Sequence, residues 1–185
     1  MADERQRQQF AEVVLPHLDA ALSLARWLTG SLADGEDVVQ EACIRALAGI
    51  GTLRDGSPRA WVLTIVRNTA FSWLRKNRPK ALVVTDDDSV FEAADLASMD
   101  RGATQNPEAL LIAKADADLL NSAIAALPLN FKEILVLREI DGLSYREIAE
   151  VVSLPIGTVM SRLSRARKLL IVTIGRSRNE AQGAA

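Results

Sequence analysis

Between Leu143 and Leu170 the chain reads LSYREIAEVVSLPIGTVMSRLSRARKLL, a stretch whose local chemistry allows very few backbones. Ser144 with Glu147 three residues later is a capping box, in which hydroxyl and carboxylate each satisfy a free backbone N–H at a helix start. Ile148, Ala149 and Val152 then supply an apolar stripe, the run Ser153, Leu154, Pro155 interrupts it, and Pro155 suits the first turn of a second helix. On a wheel of about 100° per residue, Val159, Leu163, Ala166 and Leu170 fall on one side of that second helix and Ser161, Ser164, Arg165 and Lys168 on the other. The pattern predicts a helix-turn-helix. Hydroxyls and cations facing outward, with no acidic residue from Val151 to Asn179, suit a major groove lined by phosphates and base edges. A solvated basic face on an ordinary packing helix is the plainer alternative.

The rest of the 185 residues has to be compatible with that ending. Apolar residues make up 49% of the chain and aromatics only 4%, a mixture rich in Ala, Leu and Val that favours helices over sheet. The expected fold class is all-α, with two small helical domains joined by a flexible acidic linker. A net charge of −2 would argue against a nucleic-acid binder if it were evenly spread. It is segregated instead: Arg59 to Lys80 holds six cations and no acid, Arg162 to Arg178 holds another six with none, and Asp86 to Glu108 holds seven acids against Arg101. Cys43 is the only cysteine and His17 the only histidine, so neither an internal disulfide nor a His/Cys metal site can be assembled, and no cofactor is expected. The N-terminus lacks the apolar core of a signal peptide, and no apolar run approaches the roughly 20 residues that span a bilayer, so a cytoplasmic protein is expected.

Helical spacing runs from Phe10 to Leu28, with Pro16 as a break and Gly30 as the stop. A second helix is expected from about Leu32 to Ala48, its start carrying Asp34, Glu36 and Asp37 against the positive end of the helix dipole. Asp37, Gln40, Glu41 and Ile44 lie three or four apart on one exposed ridge, beside a core face of Val38, Ala42 and the stem of Arg45. Ser57 and Pro58 open a third helix reaching about Lys76. Its core face is expected at Trp61, Ile65, Thr69 or Ala70, and Trp73 or Leu74, with Arg59, Arg67, Asn68, Arg75 and Lys76 on the other side. Cations interleaved with aromatics can hold a single strand by phosphate contact and stacking. From Arg78 to Pro107 the pattern dissolves into an acidic linker. Helical spacing resumes through Leu110, Leu111, Leu119, Leu120 and Ile124; Asn130 and Glu133 form a second capping box; Gly142 closes the helix it opens; and a polar, frayed tail follows the helix-turn-helix.

In this order the motifs resemble a sigma-70 family RNA polymerase sigma factor of the extracytoplasmic-function (ECF) type, over nearly the whole chain. DGEDVVQE, from Asp34 to Glu41, resembles the family's core-binding segment, and WVLTIVRNTAFSWL, from Trp61 to Leu74, resembles its −10-engaging helix. GLSYREIAE and GTVMSRLSRAR stand nearly as the family writes its −35-binding domain. The resemblance implies a region 2-like domain at 8–78, a linker at 79–107 and a region 4-like domain at 108–176. It implies that Asp34, Asp37, Gln40 and Glu41 bind core RNA polymerase, and that Arg59, Trp61, Arg67, Asn68 and Arg75 bind the −10 strand, with the loop from Gly51 to Ser57 taking up a flipped base. Ser161, Ser164 and Arg165 would meet −35 base edges, and Thr158, Arg162 and Lys168 phosphate. It implies an alternative sigma factor with no enzymatic activity, monomeric when free, partnered by core polymerase, promoter DNA and an anti-sigma factor. Cys43 and Leu47 stand where the family often has aromatics. Two rival readings are a stand-alone helix-turn-helix regulator and a sigma mimic that binds only an anti-sigma factor.

Overall fold

A computed structural model describes residues 2–53, 56–82 and 107–183. Among them are eight α-helices and no strand: α1 Ala2–Val14, α2 Leu18–Thr29, α3 Leu32–Gly49, α4 Pro58–Asn77, α5 Pro107–Ala126, α6 Leu129–Leu135, α7 Tyr145–Val152 and α8 Ile156–Gly183. Residues 83–106, most of the expected linker, lie outside the described residues, as do 54 and 55 in the loop before α4.

The early boundaries follow local chemistry. Pro16 divides the first apolar run, leaving a short 3-10 turn, Leu15–His17, between α1 and α2. Gly30 ends α2 in the left-handed conformation at φ 74°, its N–H returned to the Arg26 carbonyl. Ser31 caps α3 and Ser57 caps α4, each hydroxyl accepting from a backbone N–H three residues on, with Pro58 in the first turn of α4.

Helices α1 to α4 share one core, in which Leu24, Ala25, Val38, Ala42, Ala46, Leu63, Val66 and Ala70 are buried. Two details of the expected core shift. Arg45 is exposed and pairs with Glu41 at 2.9 Å, and Ala46 takes the core position its stem was expected to fill. In α4 the fully buried line runs through Val62, Leu63, Val66, Ala70 and Leu74, while Trp61, Ile65 and Trp73 are half-buried at its margins. The reason is that α4 is packed on several sides at once, by α2 and α3 and also by α7, so no single stripe marks its interior.

Helices α5 to α8 form the second group around Ile134, Leu137, Leu143, Ile148, Val151, Val159, Leu163 and Ala166. The expected capping box at Asn130 and Glu133 does not form. Helix α6 starts two residues earlier, with Pro128 at the cap and no side-chain cap bond, so Asn130 and Glu133 lie inside the helix and are buried. Leu120 is 40% exposed rather than core. The chain passes from α6 into a π-helical turn, Val136–Ile140, and Gly142 at φ 69° closes it as expected. Helix α8 continues to Gly183 where a frayed tail was expected.

Candidate nucleic-acid and protein interfaces

The helix-turn-helix is built as its sequence dictates. Ser144 Oγ accepts from the Glu147 N–H at 3.3 Å, and Glu147 Oε2 accepts from the Ser144 N–H at 2.9 Å. These bonds hold the Glu147 carboxyl below its ordinary range, the backbone bond being the largest cause. Ser153 turns the chain at φ 56°, a left-handed position for a residue with a Cβ, and the Pro155 carbonyl accepts the first N–H groups of α8. Val159, Leu163 and Ala166 face inward, and Ser161, Ser164 and Arg165 lie exposed along the opposite side. Thr158, Arg162 and Lys168 are half-buried at the flanks of that face. All six expected −35 residues therefore lie on or beside one outward strip of α8. Sequence reasoning missed Met160, which is 51% exposed at the same end, and Gly157, whose missing side chain leaves open space above the backbone. Their signal was present in the same wheel. Arg167, on the far side, forks onto Glu139 and fixes α8 to the π-helical turn.

A second face lies on α3. Asp37, Gln40 and Glu41 are exposed along one line with Ile44, which is 65% exposed, and Leu47. An apolar pair this open beside carboxylates is uncovered in the free chain. Asp34 stands apart: half-buried, it lies 3.4 Å from Arg78, which also donates to the Thr29 carbonyl and stacks near the Trp73 ring. It ties the end of α4 to the α2–α3 corner. Cys43 faces inward behind the ridge, and burial pushes its thiol up, which disfavours the thiolate that redox chemistry needs.

The expected −10 residues divide. Asn68 and Arg75 are exposed on α4, and Trp61 packs near Gly49 at the end of α3. Arg59 and Arg67 instead point into the second helical group. Arg67 Nε and Nη2 fork onto Glu133 at 2.6 and 3.1 Å, with the guanidinium 4.4 Å from the Phe71 ring centre. Arg59 donates to the Asp141 carbonyl, and Ser57 donates to Glu147 Oε1 at 3.0 Å. Burial pushes the Asp141 carboxyl up to about 6 despite the opposing Ser23 hydroxyl and Arg59 charge, and one of its oxygens is buried without a partner. Burial likewise raises Glu133, against the pull of Arg67 and Arg162. Glu133, Asp141 and Glu147 were not expected at this place. The available signal was Glu133 immediately before the apolar run Ile134 to Leu137, since a carboxylate drawn into the core with that run requires a cation.

The arrangement defines a helix-turn-helix protein with a second, cation-bearing helix packed against it. Comparison with known proteins gives that description a family. Sigma-70 region 2 matches residues 13–80, and Sigma-70, region 4 matches residues 117–170. The sequence is 34% identical over 167 residues to the RNA polymerase sigma-H factor of Pseudomonas aeruginosa, covering 89% of this chain and 85% of that protein. It is 37% identical over 143 residues to the ECF RNA polymerase sigma-E factor of Escherichia coli, covering 74% and 72% of the two. The sigma factor RpoE from Bartonella quintana, solved in complex with the anti-sigma factor NepR, superimposes with a TM-score of 0.65 at 28% identity, over 90% of this chain and 96% of that one. CnrH, solved with the cytosolic domain of CnrY, shares the fold with a TM-score of 0.63 at 23% identity, over 90% and 88%. The chain belongs to the sigma-70 family of RNA polymerase sigma factors, and within it to the extracytoplasmic-function group. Among the described residues no helix is long and apolar enough to cross a membrane.

Proposed function

We propose that this chain is an alternative sigma factor that binds core RNA polymerase and gives it promoter specificity, reading −35 duplex with one end and melted −10 strand with the other. The observation that carries the reading is the combination of three faces in one chain: the open acidic and apolar ridge of α3, the cations of α4, and the outward strip of α8. In this reading residues 8–78 form the polymerase and −10 half, 108–176 the −35 half, and 79–107 the linker that sets their distance.

Asp37, Gln40 and Glu41 dock on a basic surface of the polymerase, Ile44 and Leu47 adding apolar contact, and Asp34 sits at the edge of that patch. Arg59, Arg67, Asn68 and Arg75 hold strand phosphates, and Trp61 supports the wall beside them. Ser161, Ser164 and Arg165 read base edges while Thr158, Arg162 and Lys168 position the helix on phosphate, the usual division between contacts that specify and contacts that place. No bond of the substrate is made or broken by this chain; binding energy melts and holds DNA for the polymerase. An anti-sigma factor is the expected regulator, supported by the Bartonella quintana relative solved with one, and the site of action is the cytoplasm.

The test is binding of the purified chain to core polymerase with a primary sigma factor as competitor. Wild type is expected to bind and to be displaced. Asp37→Arg, an exposed helical position, is expected to keep its helical signal and lose binding; full affinity in that variant refutes the ridge as the docking face.

A further inference from the structure

The contact between the two helical groups uses the nucleic-acid residues of the first group. Ser57, Arg59 and Arg67 all come from the start and middle of α4, and all three reach oxygen acceptors of the helix-turn-helix half: Glu147 Oε1, the Asp141 carbonyl and the Glu133 carboxylate. A planar guanidinium donating two parallel bonds to a carboxylate is in the geometry it uses for phosphate. Glu133 is only 1% exposed, so its charge is removed from water and aimed at Arg67. Helix α7 lies across α4 at the same place. A strand phosphate and Glu133 therefore cannot hold Arg67 together. Asn68 and Arg75 remain outside the contact.

We propose that in the free chain the helix-turn-helix half is an intramolecular cover for the −10 face, with Glu133 and the Asp141 carbonyl occupying on Arg67 and Arg59 the places of two strand phosphates. The inference rests on the assignment of Arg59 and Arg67 to the −10 strand. A buried ion pair repays its desolvation only narrowly, so this cover can be exchanged for phosphate rather than being a permanent joint. Opening it frees both cations at once, and the parted halves can then reach separate promoter elements. The exchange also explains why a carboxylate is buried on α6: it is there for the other half of the molecule.

The test reads the distance between the halves by energy transfer in the full chain, with fluorophores on Gln9→Cys and Arg176→Cys, both exposed, in a Cys43→Ser background. Free wild type is expected in a short-distance population. Glu133→Arg should lower the closed-to-open ratio by about tenfold or more with its far-ultraviolet helical signal intact. The swap of Arg67→Glu with Glu133→Arg should restore the short distance. A saturating single-stranded oligonucleotide of random sequence should lengthen the wild-type distance. If Glu133→Arg loses its helical signal, Glu133→Gln is read on the same axis, with a smaller lengthening expected. A long distance in free wild type, or a short one in folded Glu133→Arg, overturns the cover. Failure of the −10 assignment would look different: charge reversal would still open the chain and the swap close it, but saturating strand would leave wild type short, which refutes the masking and leaves a structural contact only.

Discussion

Gly35 sits in the first turns of α3, where its Cα hydrogen faces the backbone of α2. A Cβ added there would lie 3.0 Å from the Arg26 nitrogen and 3.1 Å from the Arg26 Cα. Both atoms are main chain and cannot swing aside, and ordinary carbon contacts begin near 3.5 Å, so α2 and α3 must part by roughly half an ångström. Separating a packed pair in this way costs about 1 to 3 kcal/mol. Against it stands the helix preference for Ala over Gly, worth about 0.8 to 1 kcal/mol. Gly35→Ala is therefore expected to destabilise by about 1 kcal/mol net. For a chain of this size that lowers the melting temperature by about 2 to 4 °C. Gly157 is the control within the same molecule: it is also helical, but a Cβ there meets nothing within 4 Å, so Gly157→Ala should leave stability unchanged or slightly raised. Thermal melts followed by circular dichroism compare the two directly. If Gly35→Ala melts at or above wild type, as Gly157→Ala should, close approach of the two backbones is not what keeps glycine at position 35.

Ser144→Ala removes the hydroxyl half of the α7 cap and should cost about 1 kcal/mol in a denaturant titration; an unchanged midpoint would mean that Glu147 alone secures the helix start. Arg165→Ala should weaken −35 duplex binding by about 1 to 3 kcal/mol with relaxed base preference, whereas an equal loss on every sequence variant would reassign Arg165 to phosphate. Asp141 gives the contact between the halves a pH dependence whose sign is fixed by its raised carboxyl. The closed form holds that proton up to about pH 6, while a parted chain releases it near the ordinary aspartate value of 3.8, so closure should strengthen as pH falls from about 6 toward 3.8, and this contribution is lost as pH rises through 6 and levels off above it. The energy-transfer distance measured from pH 7.5 to 5 checks this. Asp141→Asn should reduce the slope, Glu133 acting in the same direction, and a wild-type slope of opposite sign would refute the reasoning.

How far the sequence could be read depended on the range of the interactions involved. The Ser144 cap, the Gly30 stop and the Ser57–Pro58 start involve groups within a few residues of one another, and each is found where its local chemistry puts it. The α8 face was legible for the same reason, since one helix needs only its own wheel. The errors arise where a second helix decides. The α4 stripe was placed one step off because α7 covers a side that periodicity assigned to solvent. Asn130 and Glu133 have capping-box spacing, but Pro128 begins the helix first and the freed Glu133 is taken by Arg67, 66 residues away in sequence. Division of the −10 set into open and covered members could not be read from α4 alone, because the acceptors belong to the other half.

The π-helical turn at Val136–Ile140 works as a phase shifter. A π turn holds one residue more than a regular one, and one residue corresponds to about 100° of rotation, so everything after the turn is set round by that angle relative to a continuous α-helix. In this phase Glu139 meets Arg167 on the DNA-reading helix while the Asp141 carbonyl meets Arg59 on the other half. One short segment thus times both attachments. Removing a single residue there would leave an acceptable helix with its two ends out of step, so a deletion costing little in helix content should release α8 and the contact between the halves together.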